Sequence, residues 1–320
     1  MRDGADPEAT LASIGIDPGW LSDDKRPVDL ARYVALIERA AQDTGNDHFG
    51  LEFGRNFTPE RLGLIGQLAI CSSTLGAALD NLARYFRFHQ HATETCFVVY
   101  GSTCRLEYRI LDSNIVDRRQ DAELTMGMFI NVIRNGMGKQ WSPLAVHCEH
   151  VRPCEWRRME DSFDAPFHFS QRTNAIVLNR TILDRPMPGA NAVRLARLQE
   201  ELIDVGGRSR PVHLIDRVRS EIRGRLAEGE IRIEAAAEAL DIPRWTLQRQ
   251  LEQDGHSFST LLDGVRRELA SRYVAQPWLP ATEIAFLLGY SELSAFTRAF
   301  RRWFGKSPNK WRRDMAARTA

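Results

Sequence analysis

Arginines and short polar side chains alternate with large apolar ones between residues 292 and 304. Phe296, Phe300 and Phe304 recur at helical spacing, so they are expected to point into a core. The residues between them lie on other faces of the same helix, where guanidinium and hydroxyl groups can donate to base edges and phosphates. The pattern predicts a helix that contacts nucleic acid. Its candidate base contacts are Leu293, Ser294, Thr297 and Arg298, and its candidate phosphate contacts are Arg301, Lys306 and Arg312.

Turn and capping residues surround this helix on both sides. A short apolar stripe precedes it and ends at Gly289, which can adopt the left-handed backbone of a tight turn. Ser291 is placed to cap the helix and Gly305 to end it. Ser307 followed by Pro308 opens a last helix. The order predicts a helix-turn-helix unit.

A second stretch of the same kind lies upstream. Its apolar stripe covers 233–240, a turn follows at 241–243, and 244–251 is the candidate recognition helix. Asp241 stands in the turn, where it tolerates a left-handed backbone less easily than Gly. For Trp245 the alternative to DNA contact is core packing, but Leu247 and Leu251 already occupy the buried face. The candidate base contacts are Arg244, Trp245, Gln248 and Arg249.

The two stretches are joined by one long amphipathic run. Apolar residues from Phe258 to Tyr273 keep helical spacing until Gln276 and Pro277 interrupt it. A single rigid helix in this place would fix the distance between the two candidate readers.

In these motifs the C-terminal part resembles the AraC/XylS family of transcriptional regulators. The shared pattern is Ile-Ala, Gly-Tyr-Ser, Ser-x-Phe-x-Arg-x-Phe and Gly-x-Ser-Pro, then an aromatic residue and Arg, all between 284 and 312. The resemblance implies a double-stranded DNA operator whose successive major-groove segments are entered by two recognition helices. It also implies a homodimer, RNA polymerase as a partner, and activation of neighbouring catabolic genes.

The N-terminal half reads as mixed α/β sequence. Helices are predicted over 30–41, 75–88 and 122–133, and residues 96–110 predict a hairpin that turns at 101–103. Segments 146–151 and 175–178 could add strands to the same sheet. The expected fold is therefore α+β: a mixed α/β sensing domain with an antiparallel sheet, followed by an all-α DNA-binding domain with two helix-turn-helix units.

The N-terminal half also resembles the sensing domain of a subset of the same family. The matching landmarks are Ile14–Pro18, Leu62–Gly66, Ser72–Leu75, Asn174–Leu178 and Leu183–Pro188. The resemblance implies a domain that binds a small organic effector (an amine, an amino acid, or a fatty or other carboxylic acid) and helps form the dimer. The candidate effector contacts are Gln67, Tyr85, His89 and Arg119. The cluster Arg118–Asp121 is most simply a solvated helix start, and an effector carboxylate is the alternative.

Composition and charge divide the chain in the same way. The Gly- and Pro-containing stretch 206–211 is the expected linker between an effector-binding and dimerisation domain, 1–205, and a DNA-binding domain, 212–320. The whole chain has a net charge of only +1, yet residues 291–320 hold 8 basic side chains and 2 acidic ones. The basic excess therefore lies where phosphate contacts are expected.

Other classes of protein are disfavoured. The chain contains no Walker loop, dinucleotide fingerprint, Gly-x-Ser-x-Gly or His-Glu-x-x-His motif, so we expect neither an enzyme nor a cofactor. His147, Cys148 and His150 invite a metal site, but on a strand His147 faces away from the other two, and no metal is expected. No apolar run is long enough for a membrane span, the opening residues do not form a signal peptide, and five cysteines lack a Cys-x-x-Cys pair. A cytoplasmic location is therefore expected.

The combined expectation is a sequence-specific, ligand-responsive transcriptional regulator. The alternative is a constitutive DNA-binding protein whose N-terminal domain only dimerises.

Overall fold

The computed structural model describes residues 4–19, 28–206, 212–229 and 231–319. The chain divides into two compact units, Met1–Pro211 and Val212–Ala320. Apart from Gly206, the expected linker at 206–211 lies outside the described residues.

The first unit combines helices with one sheet. Short 3-10 segments occur at Pro59–Leu62 and Arg180–Ile182. The predicted helices at 30–41, 75–88 and 122–133 are confirmed, and each is longer than its apolar pattern indicated. The helices are α1 (Pro7–Ser13), α2 (Leu30–Thr44), α3 (Phe49–Arg55), α4 (Leu64–Cys71), α5 (Leu75–His89), α6 (Arg119–Met137), α7 (Arg157–Phe163) and α8 (Ala192–Gly206).

The sheet is formed by β1 (Thr93–Tyr100), β2 (Thr103–Ile110), β3 (Ala145–His147), β4 (Phe167–His168) and β5 (Asn174–Asn179). Its strand order is β1-β2-β5-β3-β4. The predicted hairpin is confirmed, with an unbroken antiparallel register from Thr93 opposite Ile110 to Tyr100 opposite Thr103. The strand expected at 146–151 is shorter and leaves the sheet after His147, while β4 was not anticipated and pairs with β3 in parallel.

Helix α6 forms the centre of this unit. Its burial depends on close approach to α3, because a β-carbon at Gly54 would lie 2.3 Å from the Leu124 carbonyl oxygen and one at Gly127 would lie 2.7 Å from the Gly54 carbonyl carbon. On another side Phe129 packs edge-to-face against Phe86 and Tyr108. A side chain larger than hydrogen at either glycine would separate the two helices.

The second unit is all helical in its described residues apart from loops and one 3-10 segment, Leu226–Glu228. The long connector is confirmed as α12 (Phe258–Ala275), which begins with a capping box formed by Ser257 and Thr260 and is followed by Gln276 at the C-cap. Both candidate reading helices are present. The helices are α9 (Leu214–Arg225), α10 (Ile233–Ala239), α11 (Arg244–Gln253), α12 (Phe258–Ala275), α13 (Ala281–Leu287), α14 (Leu293–Phe304) and α15 (Pro308–Thr319).

Candidate nucleic-acid interface and effector groove

The first reader is the pair α10 and α11. The turn between them contains Asp241 at φ 54°, and the Ile242 amide donates to the Ala237 carbonyl at 3.0 Å. Pro243 precedes α11, where its missing amide costs no helical hydrogen bond. Leu247 and Leu251 are buried, as their spacing predicted.

The opposite face of α11 carries the four predicted contacts, all of them exposed. Trp245 has 66% of its surface accessible, which excludes the core-packing alternative within this unit. The Arg249 guanidinium lies 5.5 Å from the Trp245 ring centroid, within the range of a cation–π contact. Gln248 donates to Glu252 at 3.0 Å, and Arg244 pairs with Glu234 at 3.0 Å. The face is polar and aromatic, and its longest side chains are held by exposed neighbours that solvent can replace.

The second reader, α13 and α14, repeats this geometry. Gly289 occupies the turn at φ +70°, and the Tyr290 amide donates to the Ala285 carbonyl at 2.9 Å, the same bond pattern as in the first turn. The expectation that Ser291 caps α14 is wrong. The cap position belongs to Glu292, whose side chain makes no capping hydrogen bond. Gly305 ends the helix in the left-handed conformation, as predicted.

The outer face of α14 contains Leu293, Ser294 and Arg298 as exposed residues, with Thr297 half-buried beside them. Ser294 donates to a Glu292 carboxylate oxygen at 2.6 Å, and Arg298 donates to the Ser294 hydroxyl at 3.4 Å. These bonds form a short chain across the start of the helix. Phe296 and Phe300 are fully buried on the other side and fix the rotation of α14.

The three predicted phosphate contacts occupy different surroundings. Arg301 is exposed and has no ion pair among the described side chains, whereas Lys306 is paired with Asp314. Arg312 is half-buried and donates to the carbonyls of Val274 at 2.9 Å and Leu279 at 2.7 Å. These bonds tie α15 to the segment that leads out of α12, so they favour a structural position for Arg312 over a phosphate contact.

The four predicted effector contacts do not form one site. Gln67 accepts from Arg194, Tyr85 lies half-buried against Phe88, and His89 is exposed at the end of α5. No hydrogen bond, ion pair or ring contact within the described parts of the chain joins these side chains to Arg119. Arg119 lines a groove, and the other three side chains do not line this groove.

The groove beside Arg119 has a volume of about 310 Å³. Arg119 is engaged with two carboxylates: its Nη2 lies 2.8 Å from Asp47 Oδ1 and its Nε lies 3.1 Å from Glu123 Oε1. Glu38 accepts from the Gln120 amide at 2.8 Å. The groove is lined by Glu38, Ala41, Gln42, Gly45, Asp47, Arg119 and Gln120.

Burial shifts the ionisation of the acids around this groove. Desolvation raises the pKa of Glu38 to about 7 and that of Glu123 to about 8, although Arg119 acts against both shifts. Glu123 is completely buried, and neither of its oxygens has a hydrogen-bond partner among the described residues. Three carboxyl groups, those of Glu38, Asp47 and Glu123, thus lie around one guanidinium at the groove. The pattern of charges in the sequence did not reveal this excess of acidic groups.

The expectation of a solvated helix start at Arg118–Asp121 is wrong, because Arg118, Gln120 and Asp121 are all buried. Asp121 accepts from the Tyr108 hydroxyl at 2.7 Å, and burial raises its pKa to about 6. Arg118 donates to the Ile110 carbonyl at 2.7 Å. These partners come from the hairpin, so neighbouring sequence alone could not reveal them.

The two histidines near β3 contact different partners, and because β3 ends at His147, strand alternation does not apply to Cys148 and His150. His147 lies 5.4 Å from the His168 ring, and burial lowers its pKa to about 4. His150 lies near Glu123, at 3.4 Å, and burial lowers its pKa to about 3. Over the described ranges, no group of three or more His, Cys, Asp or Glu side chains could hold a metal ion.

Comparison with known proteins identifies both units. The model for the N-terminal arabinose-binding domain of AraC transcription regulators matches residues 4–187, and a helix-turn-helix domain model matches residues 236–314. The chain belongs to the AraC family of transcription regulators. Members of this family are DNA-binding regulators with an N-terminal ligand-binding domain, and the chain has both parts. None of the described helices is both long and apolar enough to span a membrane.

Relatives that match nearly the whole chain are regulators from bacteria. The transcriptional regulator VirS of Mycobacterium tuberculosis is 29% identical over 318 residues, which cover 98% of this chain and 92% of VirS. The ornithine utilization regulator of Pseudomonas aeruginosa is 27% identical, over 97% of this chain and 91% of its own. The crystal structure of the regulator CdpR from Pseudomonas aeruginosa covers 96% of both chains with 21% identity and a TM-score of 0.46.

Proposed function

We propose that this AraC-type regulator activates neighbouring catabolic genes when a small organic effector binds its N-terminal unit. We further propose that it works in the cytoplasm as a dimer that contacts RNA polymerase. Activation, dimerisation and the polymerase contact are what the family implies. The structural support for the proposal concerns DNA binding and comes from the C-terminal unit.

The observation that carries the proposal is the pair of reading helices joined by α12. Each of α11 and α14 buries one apolar face and exposes a face of polar and aromatic groups. A single helix connects the two readers, so we infer that both faces act together and that one chain reads two DNA segments. The proposed base contacts are Arg244, Trp245, Gln248, Arg249, Leu293, Ser294, Thr297 and Arg298; Arg301 and Lys306 are the proposed phosphate contacts.

We place the effector in the groove beside Arg119. Asp47 already pairs with the Arg119 guanidinium, while Glu38, whose pKa is raised to about 7, has no cation in ion-pair contact among the described residues. An incoming ammonium group would pair with Glu38 and favour its ionised form, whereas a lone carboxylate would meet Asp47 and Glu38 with only Arg119 to balance them. The groove therefore favours an amine or amino acid over a fatty acid. The name of one relative concerns the utilization of ornithine, a diamino acid, in keeping with this class.

Calorimetry on the full-length protein tests the effector class, with L-ornithine and putrescine as ammonium-bearing probes and decanoate as the carboxylate probe. Binding of an ammonium probe that Glu38→Gln abolishes and Glu60→Gln preserves would support the groove, since Glu60 is exposed and lies outside it. Binding of decanoate alone would contradict the proposed class.

Transcription from the bound operator in vitro tests regulation. A higher transcript level with the bound probe is expected. Operator binding and transcription that no probe changes would favour the alternative, a constitutive DNA-binding protein whose N-terminal unit only dimerises.

A further inference from the structure

One arginine of the connecting helix makes hydrogen bonds to the turn of the second reader. Arg266 of α12 donates from Nε to the Leu288 carbonyl and from Nη2 to the Gly289 carbonyl, both at 2.9 Å. These carbonyls lie at the end of α13, where a helix leaves its last acceptors without internal partners. A planar guanidinium can satisfy two such acceptors at once, which an ammonium group on a flexible stem does less well.

The same guanidinium also covers the residue that follows. Its central carbon lies 4.4 Å from the Tyr290 ring centroid, so Arg266 contacts three successive residues of the turn. Tyr290 in turn packs against Phe296, with ring centroids 6.0 Å apart. The contact therefore continues from α12 through the turn into the buried side of α14.

The other side of the turn is closed by the segment that follows α9. A β-carbon at Gly289 would lie 2.8 Å from the Gly229 carbonyl oxygen and 2.9 Å from that of Leu226. The turn is thus held between Arg266 and this backbone, which leaves it little freedom to shift.

Helix α12 also holds the far end of α14. Asp263 accepts from the Trp303 indole at 2.9 Å and pairs with Arg302. Asp263 and Arg266 are one helical turn apart on α12. The same stretch of α12 therefore contacts the turn before α14 and the far end of α14. Because α12 follows directly on the first reader, this stretch sets where α14 lies relative to α11.

We propose that Arg266 is a positioning residue for base reading by α14. Its contacts with the turn 288–290 set the orientation in which α14 binds DNA. The inference rests on the proposed DNA contacts of α14. Removal of the guanidinium frees the turn on one side, and the base contacts of α14 lose their fixed placement while those of α11 keep theirs.

The test uses full-length protein and an operator selected from random duplexes. Two altered operators each carry a scrambled segment, and the segment read by α14 is the one at which Arg298→Ala loses discrimination. Arg266→Ala and Arg266→Lys should each reduce discrimination at that segment about tenfold or more, the scale of one lost base contact. Discrimination at the α11 segment should stay within about twofold of its original value, since its contacts are untouched.

Several outcomes separate the possibilities. Arg313→Ala, which removes an exposed arginine from α15, should leave discrimination at both segments unchanged. Full discrimination by Arg266→Lys would overturn the inference, because charge alone would then suffice. Equal loss at both segments by the folded Lys variant would overturn it too. If the unaltered protein discriminates at neither segment, the proposed DNA reading itself fails, irrespective of Arg266.

Discussion

Arg249 lies against Trp245 on the outer face of α11, with its guanidinium carbon 5.5 Å from the indole ring centroid. Neither side chain is buried, so the pair is not part of the core. The indole limits the rotamers of the arginine before DNA arrives, which lowers the entropy that binding must remove.

Replacement of Arg249 by Ala should weaken operator binding by about 1–3 kcal/mol if the guanidinium makes a bidentate base contact. Footprinting titrations at fixed salt measure this loss. Arg61→Ala serves as control, because Arg61 is exposed in the N-terminal unit. Equal affinities of the Arg249 variant and the unaltered protein would exclude the role.

Charge removal at Arg301 should weaken specific and non-specific binding alike. Loss of one phosphate contact reduces the slope of log K against log salt by about 0.9 for duplex DNA. Lys306→Gln should show a smaller change, because its ammonium group is already paired with Asp314. An effect of Arg301→Gln on sequence preference alone would contradict a phosphate contact.

Arg312→Gln should affect stability and not the salt dependence of DNA binding, in contrast to Arg301→Gln. It removes two hydrogen bonds to main-chain carbonyls, so the free energy of unfolding should fall by about 1–3 kcal/mol. The salt slope of the folded variant should stay unchanged. Urea unfolding and binding measured on the same preparation distinguish the two effects, and a flatter slope with unaltered stability would restore Arg312 to the phosphate contacts.

The two turns respond differently to the same kind of substitution. Asp241 has φ 54°, a conformation that costs an L-residue about 1–2 kcal/mol. A glycine at this position would avoid that cost, but the greater entropy of glycine in the unfolded chain would offset part of the gain in stability. Asp241→Gly should therefore stabilise the protein by up to about 1 kcal/mol. Gly289→Ala should destabilise it, because φ is +70° and the new β-carbon would meet two carbonyl oxygens. Urea midpoints that move the other way would contradict this account.

Glu123 should make stability depend on pH. Burial raises its pKa from 4.5 to about 8, so its folded form binds a proton that the unfolded chain has released. Its contribution to stability is complete below about pH 4.5 and is lost as pH rises through about 8. Glu123→Gln should remove this loss, so the difference in unfolding free energy between variant and unaltered protein should grow in the variant's favour from pH 5 to pH 8.5.

Urea unfolding at pH 5, 7 and 8.5 measures that difference. His150 acts in the opposite direction, since its pKa is lowered to about 3 and its contribution is lost as pH falls from about 6.5. Because His150 is mainly neutral above pH 7 in both the folded and the unfolded chain, the change in the difference between pH 7 and pH 8.5 reports Glu123. A difference that is constant with pH would show that Glu123 titrates normally.

Sequence patterns predicted the elements whose signals are local. The hairpin at 93–110, the connector α12 and both readers follow from alternation, helical spacing and turn residues within a few positions of each other. Even the buried face of α11 followed from the spacing of Leu247 and Leu251. Ser291 is not the cap because α14 begins one residue later than the pattern indicated, with Glu292 at the cap position.

The polar interior could not be predicted in the same way. Asp121 is buried because Tyr108 and Gln90 donate to it, and these partners come from the hairpin and from the end of α5. Arg312 looks like a surface cation until Val274 and Leu279 are placed beside it. Strand β4 is only two residues long, too short for any alternation to appear. In each instance the decisive contact joins distant parts of the chain.

The close contact of α3 with α6 has a mechanical consequence. At Gly54 and Gly127 backbone meets backbone, without a layer of side chains whose rotamers could absorb a displacement. Such a junction is nearly incompressible. A displacement of α6, which begins at the groove with Arg119, is therefore expected to carry α3 with it, because no side chain lies between the two backbones to take up the movement.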